Sequence, residues 1–339
     1  MIPALPWYNK KNHFGWNSME IHQQSVTTQD GCPISYVSVI PKIVSKFPVL
    51  MVHGIGASGG IWLLGREESL PHTLCAQGFP VYIVNLRHRK GLIEKEWDLD
   101  DYVDFDLPTI LRVIQNRHGK KKVHYIGHSM GGLISKMFQV RFGSEGLRST
   151  VCIGSPGLQA KAMDAQLIAS ARPIIKVLSK ALPHARLQNI PNPILQTIHT
   201  LSSMRGFPTE WPEVLGQTKI PEIQSLCANV ARTEAQQLTS LVGEKGIKSE
   251  KHGFHYGEFM DRVIAPTLTI AGNRDPVAPP KLVKAGHDQA HTHDKKFVIL
   301  GPAYGSQQSY NHQELLMGPS THRDLWPIIS NWLVERESK

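Results

Sequence analysis

Short apolar runs alternate with longer runs of helical periodicity through most of residues 18–157. Runs of the first kind, bounded by glycine, proline or charged residues, are typical of strands, and apolar positions three and four apart are typical of helices. Six strands are predicted here, at 19–26, 34–40, 48–54, 80–87, 122–129 and 148–155. Helices are predicted at 67–77, 99–118 and 130–142. The alternation indicates an α/β fold whose sheet becomes parallel after an opening hairpin.

The rest of the chain divides into a helical insertion and a return to the same alternation. Strands are predicted at 266–273 and 295–301, followed by a terminal helix with Thr321 as its N-cap. Residues 158–257 are instead helical in pattern, interrupted by prolines and without a clear strand. We therefore expect a core formed by 1–157 and 258–339, with 158–257 inserted as a helical cap. In the helix predicted at 99–118, Pro108 marks a start or kink, with Asp106 before it as a suitable N-cap.

The predicted cap contains one strongly amphipathic run, residues 166–182. Its apolar side chains share one helical face, and three basic residues lie between them. One interpretation is a helix packed on the core. The other is a lid whose apolar side covers the site and whose basic flank makes peripheral contact with an anionic membrane.

The composition is that of a globular protein. Of the 339 residues, 41% are apolar and 19% are charged, with a formal net charge of +9. The positive charge suits anionic partners in general, but no zinc finger, RNP motif or aromatic-interleaved basic stripe indicates nucleic acid. Glycines, a serine and a histidine interrupt the uncharged run 47–65, which argues against a membrane span. Four dispersed cysteines and an amino end without a signal-peptide pattern lead us to expect a cytoplasmic protein.

A candidate nucleophile lies between the strand predicted at 122–129 and the helix after it. The segment 127–132 reads Gly-His-Ser-Met-Gly-Gly, the nucleophile-elbow pattern. Gly127 and Gly131 leave room for the sharp turn that exposes Ser129, and His128 stands beside the serine as part of the elbow. The Met130 N–H at the helix start would point toward an oxyanion formed there.

A serine nucleophile needs a histidine base, and the base needs a carboxylate to orient it. In a doubly wound sheet these groups collect at the carboxyl ends of the strands. Asp275 follows the strand predicted at 266–273 and is the best candidate acid. Two histidines follow the last strand: His312 falls in the loop itself, and His322 falls in the first turn of the final helix. We favour His312 as the base.

The second oxyanion donor is predicted after the strand 48–54. That strand ends in His53-Gly54, and the Ile55 N–H is free to turn toward Ser129. Three glycines of this segment also spell G-x-G-x-x-G, at Gly54, Gly56 and Gly59. A dinucleotide site would need an acidic residue at the end of the next strand, where the sequence has asparagine and arginine. An arginine could suit NADP, but a dinucleotide site would leave Ser129, Asp275 and His312 without a role, so no cofactor is expected.

One metal hypothesis also has to be weighed. Histidines and aspartates are concentrated at 287–294, but their spacing matches no common zinc pattern. We interpret this segment as a solvated connector before a strand and expect no metal.

Three motifs carry a family resemblance. WDLDDYVDFDLPTILRVI (97–114) resembles the acid-lipase run before the elbow, YNHQELLMG (310–318) resembles the family's segment around the catalytic histidine, and GFHYGEFMDRVIAPTLTIAGNRD (253–275) is similar to its cap exit and acid strand. From about residue 20 to 335 the chain thus resembles the α/β-hydrolase fold, within it the neighbourhood of acid lipases and polyhydroxyalkanoate synthases and depolymerases. The second motif independently points to His312.

The resemblance also has departures. Serine stands at the elbow where the synthases carry cysteine, which favours hydrolysis over polymerisation. His88 replaces the usual glycine after the arginine in NLRHRKG. We therefore expect a serine carboxylic-ester hydrolase acting on a hydrophobic acyl ester, of the esterase or lipase kind. The alternatives are an acyltransferase with the same triad and a non-catalytic lipid-binding or scaffold protein.

Overall fold

The computed structural model describes residues 19–64, 68–87, 96–119, 121–159 and 226–338. Its eight strands all fall where the hydrophobic pattern predicts them. They are β1 (Met19–Thr27), β2 (Pro33–Pro41), β3 (Val49–Val52), β4 (Val81–Asn85), β5 (Val123–His128), β6 (Leu147–Ile153), β7 (Thr267–Gly272) and β8 (Lys295–Leu300). The helix predicted at 166–182 lies outside the described residues, as does His88.

The strands form one sheet in the order β1-β2-β4-β3-β5-β6-β7-β8. The hairpin β1–β2 is antiparallel, β2 pairs antiparallel with β4, and every later pair is parallel. This confirms the predicted mostly parallel sheet with an opening hairpin. The carboxyl ends of β3, β5, β6 and β7 consequently meet at one edge, where loops can bring distant side chains together.

Helices cover both faces of the sheet. Leu50 and Val52 of β3 contribute to the core on one side, beneath the helices Leu107–Arg117 and Met130–Phe142. Val49 and Met51 face the other side, toward the helices Leu70–Ala76 and Trp326–Val334. This alternation is the period of two expected of a strand buried on both faces.

The helix predicted at 99–118 begins earlier than its proline suggests. Asp98 is the N-cap: its carboxylate accepts the Asp101 N–H, and Asp101 accepts the Asp98 N–H in return. The chain continues from Leu99–Asp101 through a π-helical turn at Tyr102–Asp106 into Leu107–Arg117. Asp106 has helical backbone angles and caps nothing, so its prediction as N-cap was wrong.

Two other stretches differ from the local pattern. The sequence pattern does not predict the helix Pro280–Gln289, which has prolines at its start and packs against β7 and β8. The prediction of Thr321 as N-cap of the final helix was wrong, because Thr321 begins a separate short helix, Thr321–Asp324, ahead of it. The Thr321 hydroxyl donates to the Glu314 carbonyl.

The described part of the predicted cap contains a helix, Arg232–Thr239, and a 3₁₀ turn at Ser240–Val242. A further 3₁₀ stretch, Tyr256–Arg262, crosses the predicted end of the cap at residue 257. Within the described ranges, none of the helices is both long enough and apolar enough to cross a bilayer.

Candidate active site

Ser129 stands at the turn from β5 into the helix Met130–Phe142. Its φ is 52° and its ψ is −119°, and within the described ranges it is the single non-glycine residue with a positive φ. Its N–H donates to the Ile153 carbonyl at 2.8 Å, which holds the turn against the end of β6. Such a backbone costs about 1–3 kcal/mol and persists only where its surroundings enforce it.

Close backbone approach explains the glycines of the elbow. A Cβ on Gly127 would lie 2.5 Å from the Gly131 carbonyl carbon, and one on Gly131 would lie 2.5 Å from the Val52 oxygen. A Cβ on Gly54 would lie 3.0 Å from the Ser129 Cβ. The start of the helix therefore rests on the end of β3, where only glycine fits, as the sequence pattern predicts.

Asp275 and His312 lie within hydrogen-bonding distance of each other. Asp275 is buried three residues beyond β7, and its Oδ1 accepts the N–H groups of Val277 and Ala278, each at 2.8 Å. Its other oxygen, Oδ2, lies 2.7 Å from His312 Nδ1. A carboxylate oxygen can only accept, so Nδ1 carries the proton and Nε2 of the neutral ring is free to act as a base.

The loop that carries His312 is fixed by a capping box. Asn311 Oδ1 accepts the N–H groups of Gln313 and Glu314, and the Glu314 carboxylate accepts the Asn311 N–H. The sequence Asn-His-Gln-Glu contains this signal at the spacing that a capping box requires. His312 is thus the first residue of a rigid turn that leads into the short helix Glu314–Met317.

The ring of His312 lies over the end of β6, beside the elbow. A Cβ on Gly154 would be 3.2 Å from His312 Nδ1, and the rings of His312 and His128 are 4.7 Å apart between centroids. Gly154 follows Ile153, to whose carbonyl Ser129 is bonded. The structure therefore places His312, the candidate base, next to His128 and next to the end of β6. The end of β6 is also the part of the sheet to which the Ser129 N–H is bonded.

His322, the other candidate base, lies elsewhere. Its Nδ1 is 3.7 Å from Glu68 Oε2, and its Nε2 is 3.1 Å from Arg323 Nε. No contact with Asp275 is found for it among the described residues. The geometry thus favours His312.

One candidate oxyanion donor, Met130, directly follows Ser129, and the other, Ile55, lies three residues beyond β3. Met130 begins a helix, and the first amide of a helix has no intrahelical acceptor. Ile55 is the second residue of a tight turn that the Ala57 N–H closes onto the Gly54 carbonyl at 3.3 Å. The N–H groups at these two positions remain the predicted oxyanion donors.

His53 sets the direction of the Ile55 amide. Its Nδ1 lies 2.8 Å from the Gly54 carbonyl oxygen and its Nε2 accepts the Leu86 N–H at 3.3 Å. Burial lowers the pKa of His53 to about 4, so its ring stays neutral. Because C=O and N–H point in opposite directions in a trans peptide, holding the Gly54 oxygen turns the Ile55 N–H away from His53.

A segment within the predicted cap pairs with this same loop. The Ser58 N–H donates to the Leu226 carbonyl at 2.8 Å, and the Ala228 N–H donates to the Gly56 carbonyl at 2.9 Å. Gly56 itself has a φ of 68°. These two hydrogen bonds flank the Ile55 turn and tie it to residues more than 160 positions later; nothing in the sequence pattern signals them.

Sequence reasoning also missed a buried polar network beside the site edge. Arg87, just after β4, donates from its Nε to Asp106 Oδ1 at 2.8 Å and from its guanidinium to Asp30 Oδ2 at 2.6 Å. Asp106 is fully buried and also accepts the Arg87 N–H. Burial disfavours the Arg87 cation, but the carboxylates around it, Asp106 foremost, more than offset this and raise its pKa above the usual value.

Glu234 lies in the helical insertion, and its buried carboxylate contacts the core. Its carboxylate accepts from the Tyr102 hydroxyl at 3.0 Å and from the Trp97 indole and the Ala231 N–H, each at 3.2 Å. No cation is paired with it among the residues described. Burial raises the pKa of Glu234 to about 7, against the opposing effect of these donors.

The residues of the two alternative sites make other contacts in the structure. Gly59 is required by packing, since a Cβ there would lie 2.8 Å from Ile83 Cγ2, and its N–H donates to Asn85 Oδ1 at 2.7 Å. The histidines and aspartates of 287–294 do not converge: His287 lies 3.1 Å from the Thr269 hydroxyl, and Asp294 pairs with Arg336. Within the described ranges, no group of three histidine, cysteine or acidic side chains could hold a metal.

Comparison with known proteins places the chain in a family. Residues 48–304 match the model of the alpha/beta hydrolase fold. The chain belongs to the α/β-hydrolase fold family.

Among its relatives is the poly(3-hydroxyalkanoate) polymerase subunit PhaC of Haloferax mediterranei, 24% identical over 311 residues, covering 85% of this chain and 59% of that protein. Triacylglycerol lipase 2 of Arabidopsis thaliana is 38% identical over 99 residues, covering 26% of this chain and 23% of the lipase. This chain spans about three fifths of the length of the polymerase subunit.

The solved structures show the same fold. An esterase from Thermogutta terrifontis superposes with a TM-score of 0.58 at 18% identity, covering 93% of this chain and 99% of the esterase. Similarity at this level of identity concerns the architecture alone, and the function has to be argued from the site.

Proposed function

We propose that this chain is a serine carboxylic-ester hydrolase that acts on a hydrophobic acyl ester. The observation that carries the proposal is the buried pair of Asp275 and His312, joined at 2.7 Å and placed against the strained elbow of Ser129. A carboxylate, a histidine and a half-buried serine at the carboxyl edge of one sheet are the three groups that acyl transfer through serine requires.

In the proposed reaction, the Ser129 Oγ attacks the ester carbonyl while His312 Nε2 takes the hydroxyl proton. Asp275 stabilises the resulting imidazolium, and the Ile55 and Met130 N–H groups stabilise the oxyanion. His312 then protonates the departing alcohol, and an acyl-enzyme remains on Ser129. A water molecule, deprotonated by His312, attacks the acyl-enzyme; the acid is released and the serine regains its proton.

The hydrophobic acyl ester as substrate class is supported by the resemblance to lipases. Arabidopsis triacylglycerol lipase 2 shares 38% identity over 99 residues. We extend to this chain only the class of bond, an ester of a hydrophobic acid.

A second candidate function is acyl transfer to an alcohol or thiol in place of water. The similarity to a polyhydroxyalkanoate polymerase subunit over 85% of the chain favours it. Two features weigh against it as the main activity. Ser129 replaces the cysteine expected of the synthases at the elbow, and the triad needs only water as an acceptor.

Labelling with a fluorophosphonate probe tests the proposal. The wild-type protein is expected to react covalently at the elbow serine, and Ser129→Ala is expected not to react while melting at the same temperature. A folded wild type that resists the probe would favour a non-catalytic protein. Esters offered with and without a competing alcohol then separate hydrolysis from transfer, since a transferase would convert most of the acyl-enzyme to the new ester.

A further inference from the structure

His128, the residue before the nucleophile, is bound to the backbone of the base. It is 2% exposed, and its Nε2 lies 3.0 Å from the carbonyl oxygen of His312. The two rings are 4.7 Å apart between centroids, inclined at 45°. Burial, with smaller contributions from His312 and His53, lowers the pKa of His128 well below its usual value. The ring is therefore neutral at pH 7.

The partner of Nε2 determines the tautomer of this ring. A carbonyl oxygen only accepts, so the proton of the neutral imidazole is on Nε2. Nδ1 is then an unprotonated acceptor, and it is buried with no hydrogen-bond partner in the described residues. An unsatisfied buried acceptor is a cost that an apolar side chain of similar size would avoid. What the imidazole supplies at this position is its Nε2–H donor.

We propose that His128 is a positioning residue that fixes the base to the elbow. The inference rests on the function proposed above. His312 then has two independent anchors: Asp275, three residues beyond β7, orients its ring, and His128, at the end of β5, holds its main chain. The second anchor sets how far the ring stands from Ser129, because His128 and Ser129 are consecutive residues of one rigid turn.

Three substitutions of His128 distinguish the effect of its hydrogen-bond donor from the effect of its side-chain volume. In His128→Gln the amide nitrogen reaches the place of ring Nε2, and in His128→Asn it reaches only the place of Nδ1. His128→Leu fills the space without a donor. His124→Leu is the matched control: it is a buried histidine of the same strand, bonded to Ser149 and Glu337 at the opposite edge of the sheet.

The measurements are kcat and KM for a soluble p-nitrophenyl ester, the rate of fluorophosphonate labelling, and the melting temperature. A base displaced by a fraction of an ångström reacts more slowly but leaves ester binding intact, so His128→Leu and His128→Asn are expected to lower kcat by about 10- to 100-fold with KM nearly unchanged. His128→Gln is expected to retain kcat within about threefold, and His124→Leu to retain it fully while losing stability.

Wild-type kcat in His128→Leu, or a kcat of His128→Gln as low as that of His128→Leu, would refute the positioning role of His128. Neither result would contradict the proposed esterase function. A wild type that neither hydrolyses esters nor takes up the probe would overturn the proposed function and this inference with it. Should His128→Leu melt below the assay temperature, the comparison of glutamine with asparagine decides alone: equal kcat values would refute the donor, and a higher value for glutamine would support it.

Discussion

A methyl group on Gly131 tests how tightly the elbow is held against β3. In Gly131→Ala the new Cβ would lie 2.5 Å from the Val52 oxygen and 2.8 Å from the His53 oxygen. Both atoms belong to the backbone, so neither can rotate out of the way. The helix start and the strand end must move apart.

The size of that movement follows from the contact distances. Cβ atoms essentially never approach another heavy atom within 3.0 Å, so the gap must widen by about 0.5 Å. Ser129 and Met130 lie on one side of this gap and Ile55 on the other, and the widening separates the nucleophile from an oxyanion donor. Since a misplacement of about 1 Å can cost about 100-fold in rate, we expect kcat to fall about tenfold. Overpacking is expected to destabilise the fold by about 1–3 kcal/mol.

The assay is steady-state hydrolysis of a p-nitrophenyl ester, with thermal melting of the same samples. Gly146→Ala is the matched control, because its Cβ would meet only the mobile end of Gln115, at 3.4 Å. If Gly131→Ala keeps the kcat and melting temperature of Gly146→Ala, the close contact between the elbow and β3 is wrong, and with it the reason given for that glycine.

Three further outcomes are expected. Asp275→Asn should fold normally and lower kcat by about 10⁴-fold through loss of the correct His312 tautomer; activity above a tenth of wild type would contradict the triad. Arg87→Met should lower the free energy of unfolding in urea by about 3–5 kcal/mol, since Asp106 is left buried without its cation, and a change under about 1 kcal/mol would refute the network. The pKa of Glu234 is raised from 4.5 to about 7, so its contribution is fully present below pH 4.5 and is lost as pH rises through 7. Wild type should therefore lose up to about 3 kcal/mol relative to Glu234→Gln between pH 5 and 8, and parallel profiles would contradict this.

The fold was predictable because its strands are determined by local pattern. A strand buried on both faces appears as a short apolar run, and the glycines around Ser129 record a backbone contact that any other residue would block. The candidate acid Asp275 and the candidate base His312 could also be predicted, because such groups lie in the loops at the carboxyl ends of the parallel strands. The Asn-His-Gln-Glu capping box adds a local signal for the base loop that we had not used.

The errors and omissions come from contacts between distant parts of the chain. Asp106 precedes a leucine and a proline, as an N-cap would. Its carboxylate instead binds Arg87, which lies 19 positions earlier in the chain, and Asp98 is the N-cap of the helix. The bonds from Glu234 to Tyr102 and Trp97 join residues more than 130 positions apart. No periodicity encodes such pairs, because each partner satisfies its own local pattern without the other.

The positive φ of Ser129 has a consequence for how this protein can evolve. The free-energy cost of this positive φ comes from the Cβ and not from the hydroxyl. An alanine at position 129 would therefore have the same cost as serine, and only glycine would avoid it. Selection for folding stability alone therefore does not favour serine at this position. Selection for a chemical role of the hydroxyl does. Among descendants that abandon the chemistry, drift to glycine at position 129 is expected to be tolerated early, whereas Gly127 and Gly131 should persist for as long as the backbone turn does.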